Sequence, residues 1–326
     1  MEYILGVDGG TTKTVALVAL PDGTIVGAGR AGGSNIYCQH LQVAFGNVER
    51  AVLAALNPVG ARPADLATAA YSMSGADWPE DFDFIRNEVL SRGLGRRIVV
   101  VNDAVGGLRA GSPDGSGVAV ICGTGAAVAA RTQDGRVWHT GFWQEAGGAD
   151  QLGTKMLRAV YRAELEIDPP TGLTERVLRF FGLTRVEDVL HLLTAHVGTS
   201  TNVGALARVL LDEAYRGDPT ARRIAEEHGS ALGDYAVAAA RRVGIEGEKF
   251  PLILAGGVFR HACGILMDSL VERVRATSSG AWAVRSRYEP VVGALLLSLE
   301  EVGVKIDEPL LGRIAVTLPE HDLFVT

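Results

Sequence analysis

The feature that most constrains the fold of this chain is a pattern that occurs twice. The first copy begins at Tyr3 and reads YILGV-DGGTTK-TVALVAL-PDG-TIVGAG, and the second begins at Gly117 and reads GVAVI-CGTG-AAVAAR-TQDG-RVWHTG. Each copy contains an apolar strand, a glycine turn, a second strand, an Asp-Gly hairpin turn and a third strand. A repeated meander at the head of two halves predicts duplicated domains that face each other across a cleft. The alternative is that two unrelated hairpin units coincide by chance.

The rest of the chain alternates strands with helices, which is typical of an α/β protein. Further strands are predicted at residues 68–73, 97–101, 251–254 and 282–285, and helices at residues 79–92 and 290–302. The segment from about 152 to 243 is predicted to be mostly helical. The Gly/Pro/Ser-rich stretch at residues 110–117 is the candidate domain boundary.

Composition limits the classes of function. With 326 residues, 47% of them hydrophobic, the chain is long enough for two folded domains. The net charge is −7 and no long basic run occurs, so neither nucleic acid nor an anionic membrane is an expected partner. The first residues lack the basic start and the apolar run of a signal peptide, and the three cysteines lie far apart. We therefore expect a cytoplasmic protein without a disulfide framework.

The first glycine turn, DGGTTK at residues 8–13, is a candidate anion-binding site. A Walker A loop would need glycine at Thr12, and a Rossmann turn would need a helix where TTKTVALVAL predicts a strand. A hairpin tip remains, in which glycine lets backbone N–H groups approach an anion while hydroxyls and Lys13 donate to phosphate oxygens. Asp8 could hold a hydrated Mg²⁺, which prefers oxygen ligands. A plain Asp-Gly-Gly turn without a ligand is the alternative.

Two further glycine turns fall at matching places. Gly123-Thr124-Gly125 occupies the same position in the second copy of the repeat, so its amides and hydroxyl would meet a phosphate chain from the opposite wall. Gly256-Gly257 follows the predicted strand at 251–254, where a base or ribose could lie close to the backbone. Taken alone, each of these turns also fits an ordinary tight connection.

The three turns, in this order, resemble the actin-like ATPase superfamily and, more narrowly, the N-acetylglucosamine kinase group, also called the BadF/BadG/BcrA/BcrD ATPase family. The resemblance runs over nearly the whole chain. It implies an α/β fold of two ribonuclease-H-like domains with ATP and Mg²⁺ in the cleft between them. The N-terminal domain would comprise residues 1–113 with about 303–326, and the larger C-terminal domain would comprise 114–302 with a helical insertion.

The resemblance also assigns roles to individual residues. It implies that Asp8 holds the metal and that the nucleotide is bound by Gly9, Gly10, Thr11, Thr12, Lys13, Gly123, Thr124, Gly125, Gly204, Gly256, Gly257 and Val258. Asn35, in Gly-Ser-Asn, matches the family residue that hydrogen-bonds the sugar. Asn102 and Asp103 match the Asn-Asp pair whose aspartate is the catalytic base.

Physical reasoning supports the assignment of Asp103. It follows an apolar strand, so it would lie at a carboxyl end that faces the crevice, where a carboxylate can accept the proton of an attacking hydroxyl. The alternative is that Asn102 or Asp103 only caps the next helix, and capping can also coexist with catalysis.

The segment that would contact the sugar departs from the family pattern. The family has a tryptophan followed by Gly-Asp-Glu-Gly, whereas this chain keeps Trp143 but continues as Gly147-Gly148-Ala149-Asp150-Gln151. The acidic pair falls on Gly148 and Ala149, and Asp150 takes its role only with a small shift. This departure puts the identity of the sugar in doubt more than the ATP site.

The main functional hypothesis is an ATP-dependent kinase that phosphorylates a sugar or amino-sugar hydroxyl, with an N-acetylglucosamine-like acceptor favoured. A second hypothesis is an ATPase that activates a partner enzyme, as dehydratase activators do through an iron–sulfur cluster. Their cysteine spacing is not matched, and Cys122 is better explained as a buried apolar residue. A third is a non-catalytic sensor of sugar or nucleotide. A homodimer is implied by the resemblance alone.

Overall fold

Two five-stranded sheets form the framework of the computed structural model, which describes residues 2–195 and 202–324. The first sheet has the order β3-β2-β1-β4-β5, with strands β1 Tyr3–Gly9, β2 Lys13–Ala19, β3 Ile25–Gly32, β4 Leu66–Met73 and β5 Ile98–Asn102. The second has the order β10-β9-β6-β7-β8, with strands β6 Gly117–Cys122, β7 Ala126–Arg131, β8 Val137–His139, β9 Pro251–Ala255 and β10 Trp282–Arg285. In each sheet the meander is antiparallel, and the other two strands join parallel to its first strand.

The predicted repeat is therefore confirmed. Register places Asp8 opposite Val15 in the first hairpin and Cys122 opposite Ala126 in the second, so both glycine turns are hairpin tips at equivalent positions. The distal Asp-Gly turns also match, because Gly23 and Gly135 have φ values of 91° and 90°. Glycine adopts this left-handed conformation without the steric cost that a Cβ atom adds.

The helices cover the two sheets and fill the predicted helical region. They are α1 Leu41–Leu56, α2 Pro79–Ser91, α3 Asp103–Gly111, α4 Ala149–Glu164, α5 Leu173–Phe181, α6 Val186–Thr194, α7 Leu206–Arg216, α8 Pro219–Val243, α9 Ile265–Arg275, α10 Pro290–Glu301 and α11 Glu308–Thr317. Helices α4 to α8 confirm the helical character of residues 152–243 within the described part of the chain.

Separate apolar cores lie against the two sheets. One joins α1 and α2 to the first sheet, a second joins α10 and α11 to the other face of that sheet, and a third joins the second sheet to α4–α9. Helix α10 lies very close to the first sheet, since a Cβ atom on Gly6 would be 2.3 Å from the amide nitrogen of Leu295. The sequence-based division at residue 302 assigns α10 to the C-terminal domain, whereas α10 packs on the first sheet. The division itself stays a prediction.

Helix α3 lies between the two sheets. Its buried residue Ala104 packs with Ala129 of β7, and Leu108 packs with Ala119 of β6. On its other side it meets α10, where a Cβ atom on Gly293 would be 1.8 Å from the carbonyl oxygen of Gly106. Since Asp103 is the first residue of α3, this helix fixes that carboxylate against both halves of the molecule.

Candidate active site

A cavity of about 270 Å³ lies between the two sheets and contains both predicted phosphate turns. Its lining includes Asp8, Gly10, Thr11, Thr12, Lys13, Ser74, Asp77, Asn102, Asp103, Gly123, Thr124, Gly125, Gly141, Gly256, Gly257, Arg260, Glu289 and Phe324. A larger groove of about 890 Å³ between α8 and α9 is lined by none of the predicted site residues. The central cavity is therefore the candidate active site.

The two hairpin tips face each other across this cavity. The hydroxyl oxygens of Thr12 and Thr124 lie 3.3 Å apart. In the first tip, the Gly10 amide donates to the Lys13 carbonyl over 2.8 Å. In the second, the Gly123 amide donates to the Gly125 carbonyl over 2.9 Å. Threonine hydroxyls and glycine backbone thus line the cavity from both walls, as an anion-binding cleft requires.

Close packing explains two glycines around the first tip. A Cβ atom on Gly9 would lie 2.5 Å from the Ser34 hydroxyl, and one on Gly33 would lie 1.9 Å from the Thr11 carbonyl. The Thr14 hydroxyl also donates to the Ser34 hydroxyl over 2.8 Å, which connects β2 to the segment after β3. Gly9 therefore supports the tip from behind, while Gly10 to Lys13 line the cavity.

Close packing explains why glycine occupies position 148, where the family pattern has an acidic residue. A Cβ atom on Gly148 would lie 2.1 Å from the Gly125 carbonyl, so no side chain fits there while the second tip keeps its position. The following residues continue the contact, since the Ala149 amide donates to the Gly123 carbonyl over 2.8 Å and the Asp150 amide to the Thr124 carbonyl over 3.2 Å. The start of α4 thus packs directly on the second phosphate turn.

A buried histidine holds the segment before α4. The His228 side chain is fully buried, and its Nε2 atom is 2.9 Å from the Gly147 carbonyl while its Nδ1 atom is 3.1 Å from Lys155 Nζ. Burial, and secondarily the Lys155 charge, lowers the pKa of His228 to about 4. The neutral ring therefore donates from Nε2 to Gly147 and accepts at Nδ1 from Lys155.

Asp103 lies at the end of β5 and faces the cavity. Burial, followed by the nearby Asp77 carboxylate, raises its pKa to about 6, while hydrogen bonds from the Ala104 amide and the Ser74 hydroxyl oppose the rise. Asn102 caps α3, since its Oδ1 atom accepts from the Ala104 amide over 3.0 Å. Asn102 performs the capping role, and Asp103 keeps an ionisable carboxyl group at the cavity wall.

Asp77 is a site residue that the sequence analysis missed. Its Oδ1 atom accepts a 3.0 Å hydrogen bond from Asn102 Nδ2, and burial together with Asp81 raises its pKa to about 6. Met73 of β4 pairs with Asn102 of β5, so the loop that carries Asp77 lies beside Asp103. A polar residue soon after a second parallel strand was the signal that could have found it.

Carboxylates also crowd the first tip. Burial, then the charge of Asp103, raises the pKa of Asp8 to about 7, with a smaller contribution from Glu289 and an opposing one from Lys13. The Lys13 ammonium donates to the Phe324 carbonyl, and burial lowers its pKa. A cation bound at Asp8 would relieve this repulsion, so the oxygen donors fit Mg²⁺. In the described ranges no group of three or more His, Cys, Asp or Glu is arranged to hold a metal.

The third glycine turn follows β9 at the other end of the cavity. Gly256 has a φ of 103°, and a Cβ atom there would lie 2.3 Å from the Cys122 carbonyl, so glycine is required on both counts. Gly257 lines the cavity, whereas Val258 is buried behind it. Arg260 donates to Glu289 over 2.7 Å, and both residues line the cavity although the sequence analysis did not identify them.

Several predicted residues lie outside the cavity lining. Asn35 does not line the cavity itself, but its Nδ2 atom donates over 3.0 Å to the hydroxyl of Ser74, which does. Trp143 is 67% exposed. Asp150 faces Gly204, where an added Cβ atom would lie 2.4 Å from the Asp150 carboxylate. The roles of these residues in binding stay predictions.

The family model described as BadF/BadG/BcrA/BcrD ATPase family matches residues 5–298. The chain belongs to this ATPase family. Within it, the chain is 25% identical over 306 residues to the N-acetylmuramic acid/N-acetylglucosamine kinase of Clostridium acetobutylicum, covering 92% of this chain and 99% of that protein. It is 26% identical over 314 residues to the N-acetyl-D-glucosamine kinase of Dictyostelium discoideum, covering 91% and 98%.

Solved structures of the same architecture support the fold of this BadF/BadG/BcrA/BcrD ATPase family member. A Chromobacterium violaceum protein, provisionally named an N-acetylglucosamine kinase, superposes with a TM-score of 0.69 at 24% identity, over 91% of this chain and 99% of that one. The duplicated, two-domain actin-like fold expected from the sequence is thereby confirmed. Throughout the described residues, no helix combines the length and apolarity needed to traverse a bilayer.

Proposed function

We propose that this protein is an ATP-dependent kinase that transfers the γ-phosphoryl group to a hydroxyl of a sugar or amino sugar, with an N-acetylglucosamine-like acceptor. The observation that carries the proposal is that the Asp103 carboxylate shares one cavity of about 270 Å³ with two phosphate-type hairpin tips whose threonine hydroxyls lie 3.3 Å apart. The names of the related kinases from Clostridium acetobutylicum and Dictyostelium discoideum support the acceptor class.

In this proposal Asp103 is the general base. The acceptor hydroxyl loses its proton to the carboxylate while its oxygen forms a bond to the γ-phosphorus, and the bond from that phosphorus to the β,γ-bridging oxygen breaks. The raised pKa of about 6 leaves Asp103 ionised at neutral pH yet closer to the working pH than an ordinary aspartate. Its position at the start of the rigidly packed α3 keeps the base in place.

The two tips would bind the phosphates. Hydroxyls of Thr11, Thr12 and Thr124 would be the neutral donors from the two tips, together with backbone amides of the tips that the hairpins themselves do not use. Asp8 would hold Mg²⁺ through water, and the metal supplies charge neutralisation on the phosphates when it is bound. Gly256 and Gly257 would allow the nucleoside to lie against the backbone after β9.

Recognition of the sugar would rest on the wall that contains Asp77, Asn102 and Asp103, with Asn35 supporting it through Ser74. The family acid is absent at Gly148, where the second phosphate turn leaves no space for a side chain. Fewer carboxylates therefore contact the acceptor, which favours a relaxed or altered sugar preference.

Two observations weigh against the partner-activating ATPase. Cys122 and Cys263 are buried, and burial raises the pKa of the Cys122 thiol to about 12, which disfavours the thiolate that an iron–sulfur cluster needs. The free cysteines and the negative net charge support a cytoplasmic enzyme that acts on small molecules.

The homodimer implied by the family resemblance is a further part of the proposal, and light scattering tests it.

The deciding experiment is a product assay with ATP, Mg²⁺ and a panel of sugars, analysed by mass spectrometry for a phosphorylated sugar. Asp103→Asn should abolish transfer and leave the affinity for ADP nearly unchanged. Asp83→Asn, on the exposed side of α2, is the matched control and should behave as wild type. Near-normal turnover of Asp103→Asn would refute the role of the base. Sugar binding without any product would support the sensor hypothesis.

A further inference from the structure

Three exposed aromatic side chains meet at the edge of the candidate active site. The ring centroids of Tyr37 and Phe142 lie 4.9 Å apart, edge to face, and those of Trp78 and Phe142 lie 6.2 Å apart with planes inclined by 23°. Tyr37 and Trp78 follow strands of the first sheet, whereas Phe142 follows β8 of the second. We name Tyr37, Trp78 and Phe142 the aromatic rim, and it spans the cleft.

The rim is connected along the chain to the cavity. Two of its residues are close in sequence to the proposed acceptor wall, and the third is next to a residue that lines the cavity. Tyr37 follows Asn35, and Trp78 follows Asp77. Phe142 follows Gly141, which lines the cavity and where an added Cβ atom would lie 3.3 Å from the Asp77 carboxylate. A group attached to a molecule in the acceptor site would therefore reach the rim where it leaves the cavity.

Buried polar contacts hold the rim in position. Asp81 is 7% exposed, and its carboxylate accepts from the Tyr37 hydroxyl over 2.8 Å and from the Trp78 amide over 2.7 Å. The Tyr37 amide donates to Asn35 Oδ1 over 2.9 Å, which ties the ring to the acceptor wall. The rings are thus preorganised, and binding to them would cost little conformational entropy.

The exposure of these rings distinguishes them from core residues. Tyr37, Trp78 and Phe142 are 52%, 42% and 57% exposed, and Trp143, which follows Phe142 in the chain, is 67% exposed. Among the described residues, seven aromatic side chains are at least 42% exposed. Four of the seven are the three rim residues and Trp143. Exposed apolar surface gathered at one place marks a binding surface, whereas scattered residues would not.

We propose that the aromatic rim is a binding subsite for a second sugar ring, so that the preferred acceptor is a disaccharide or glycoside rather than a free monosaccharide. The C–H groups on the face of a pyranose are apolar and carry partial positive charge, and they pack on the negatively charged faces of aromatic rings. Recognition by ring faces would also compensate for the carboxylate contact that Gly148 cannot provide. This inference rests on the proposed kinase function.

The test compares N-acetylglucosamine with its β-1,4-linked disaccharide, which presents a second ring at C1 of one unit and at C4 of the other. For the wild type we expect the disaccharide KM to be about tenfold lower than the monosaccharide KM. Phe142→Ala should raise the disaccharide KM about tenfold and leave the monosaccharide KM and both kcat values within twofold. Phe180→Ala, an exposed aromatic residue on α5, is the matched control and should change neither KM.

Equal KM values for the two acceptors in the wild type, or an equal rise of both KM values in Phe142→Ala, would overturn the subsite. Failure of the kinase function gives a different result, in which no sugar is phosphorylated. Calorimetric titration with the disaccharide and a non-hydrolysable ATP analogue then tests the subsite alone. Binding that Phe142→Ala weakens about tenfold supports the rim, and binding that is absent or unchanged in the variant refutes it.

Discussion

The hydroxyl oxygens of Thr12 and Thr124 lie 3.3 Å apart, although 112 positions separate these residues in the chain and their hairpins belong to different sheets. This contact joins the two hairpin tips across the cavity, and in the proposed function both hydroxyls would donate to the same phosphate chain. Because the two residues are in contact, we expect substitutions at both of them to have non-additive effects.

Removing these hydroxyls should weaken nucleotide binding. We expect Thr12→Val and Thr124→Val each to raise the KM for ATP by about tenfold, because a hydrogen bond to a charged group contributes roughly 1.5–3 kcal/mol. The double variant should show less than the product of the two effects if both hydroxyls contact one phosphate. Steady-state kinetics at saturating sugar measures all three variants. Fully multiplicative effects would indicate independent sites.

Asp77 should set the pH dependence of the reaction. Its negative charge raises the pKa of Asp103, so Asp77→Asn should lower that pKa and move the acidic limb of the kcat/KM profile to lower pH. The amide can still hydrogen-bond to Asn102, which preserves the packing. Glu80→Gln, an exposed neighbour in α2, serves as the control. An unchanged acidic limb would show that Asp77 does not act on the base.

The buried Asp103 carboxyl group should reduce stability. The pKa of Asp103 is raised in the folded state from 3.8 to about 6, so ionisation costs folding free energy as the pH rises through this interval. Asp103→Asn removes that cost. Its Tm should exceed that of the wild type by a few degrees above about pH 6, and the difference should shrink as the pH falls towards about 4. Thermal melts at the two ends of this range measure it, and a Tm difference independent of pH would contradict the expectation.

Introducing the family's acidic residue at Gly148 should destabilise the protein and weaken ATP binding. Gly148→Asp would force its Cβ atom towards the Gly125 carbonyl, which an added Cβ approaches to 2.1 Å. We expect it to lower the Tm and to raise the KM for ATP by at least tenfold, because the second phosphate turn must shift. Ala149→Asp tests the neighbouring position, where a Cβ atom already exists. Equal and mild effects of both substitutions would refute the steric explanation.

Local signals explain why part of the fold could be predicted from the sequence. The Asp-Gly turns at 22–23 and 134–135 and the alternation around them specify hairpins without any distant partner. Asn102 and Asp103 were identified through the family resemblance, and their position after an apolar strand supported the assignment because strand ends in parallel sheets converge on one edge. These features depend on short stretches of chain, and the structure contains them at the predicted positions.

The role of Asp77 and the position of α10 could not be predicted, because both depend on contacts between elements that are distant in the sequence. Asp77 becomes a site residue only because β4 and β5 are neighbours in register, which the sequence of either strand does not state. Helix α10 is apolar around most of its circumference, so its pattern does not tell which sheet it covers. The close approach of Gly6 to Leu295 decides that choice, and it involves residues at opposite ends of the chain.

The contact of α3 with α10 has a mechanical consequence. At Gly106 and Gly293 the two backbones touch with no intervening side chains, so the helices cannot slide past each other without collision. Asp103 lies one turn before Gly106 on α3, so this backbone contact braces the helix that begins with the carboxyl group. A methyl group added at Gly293 would push α3 away from α10 and displace that carboxyl group from the cavity wall.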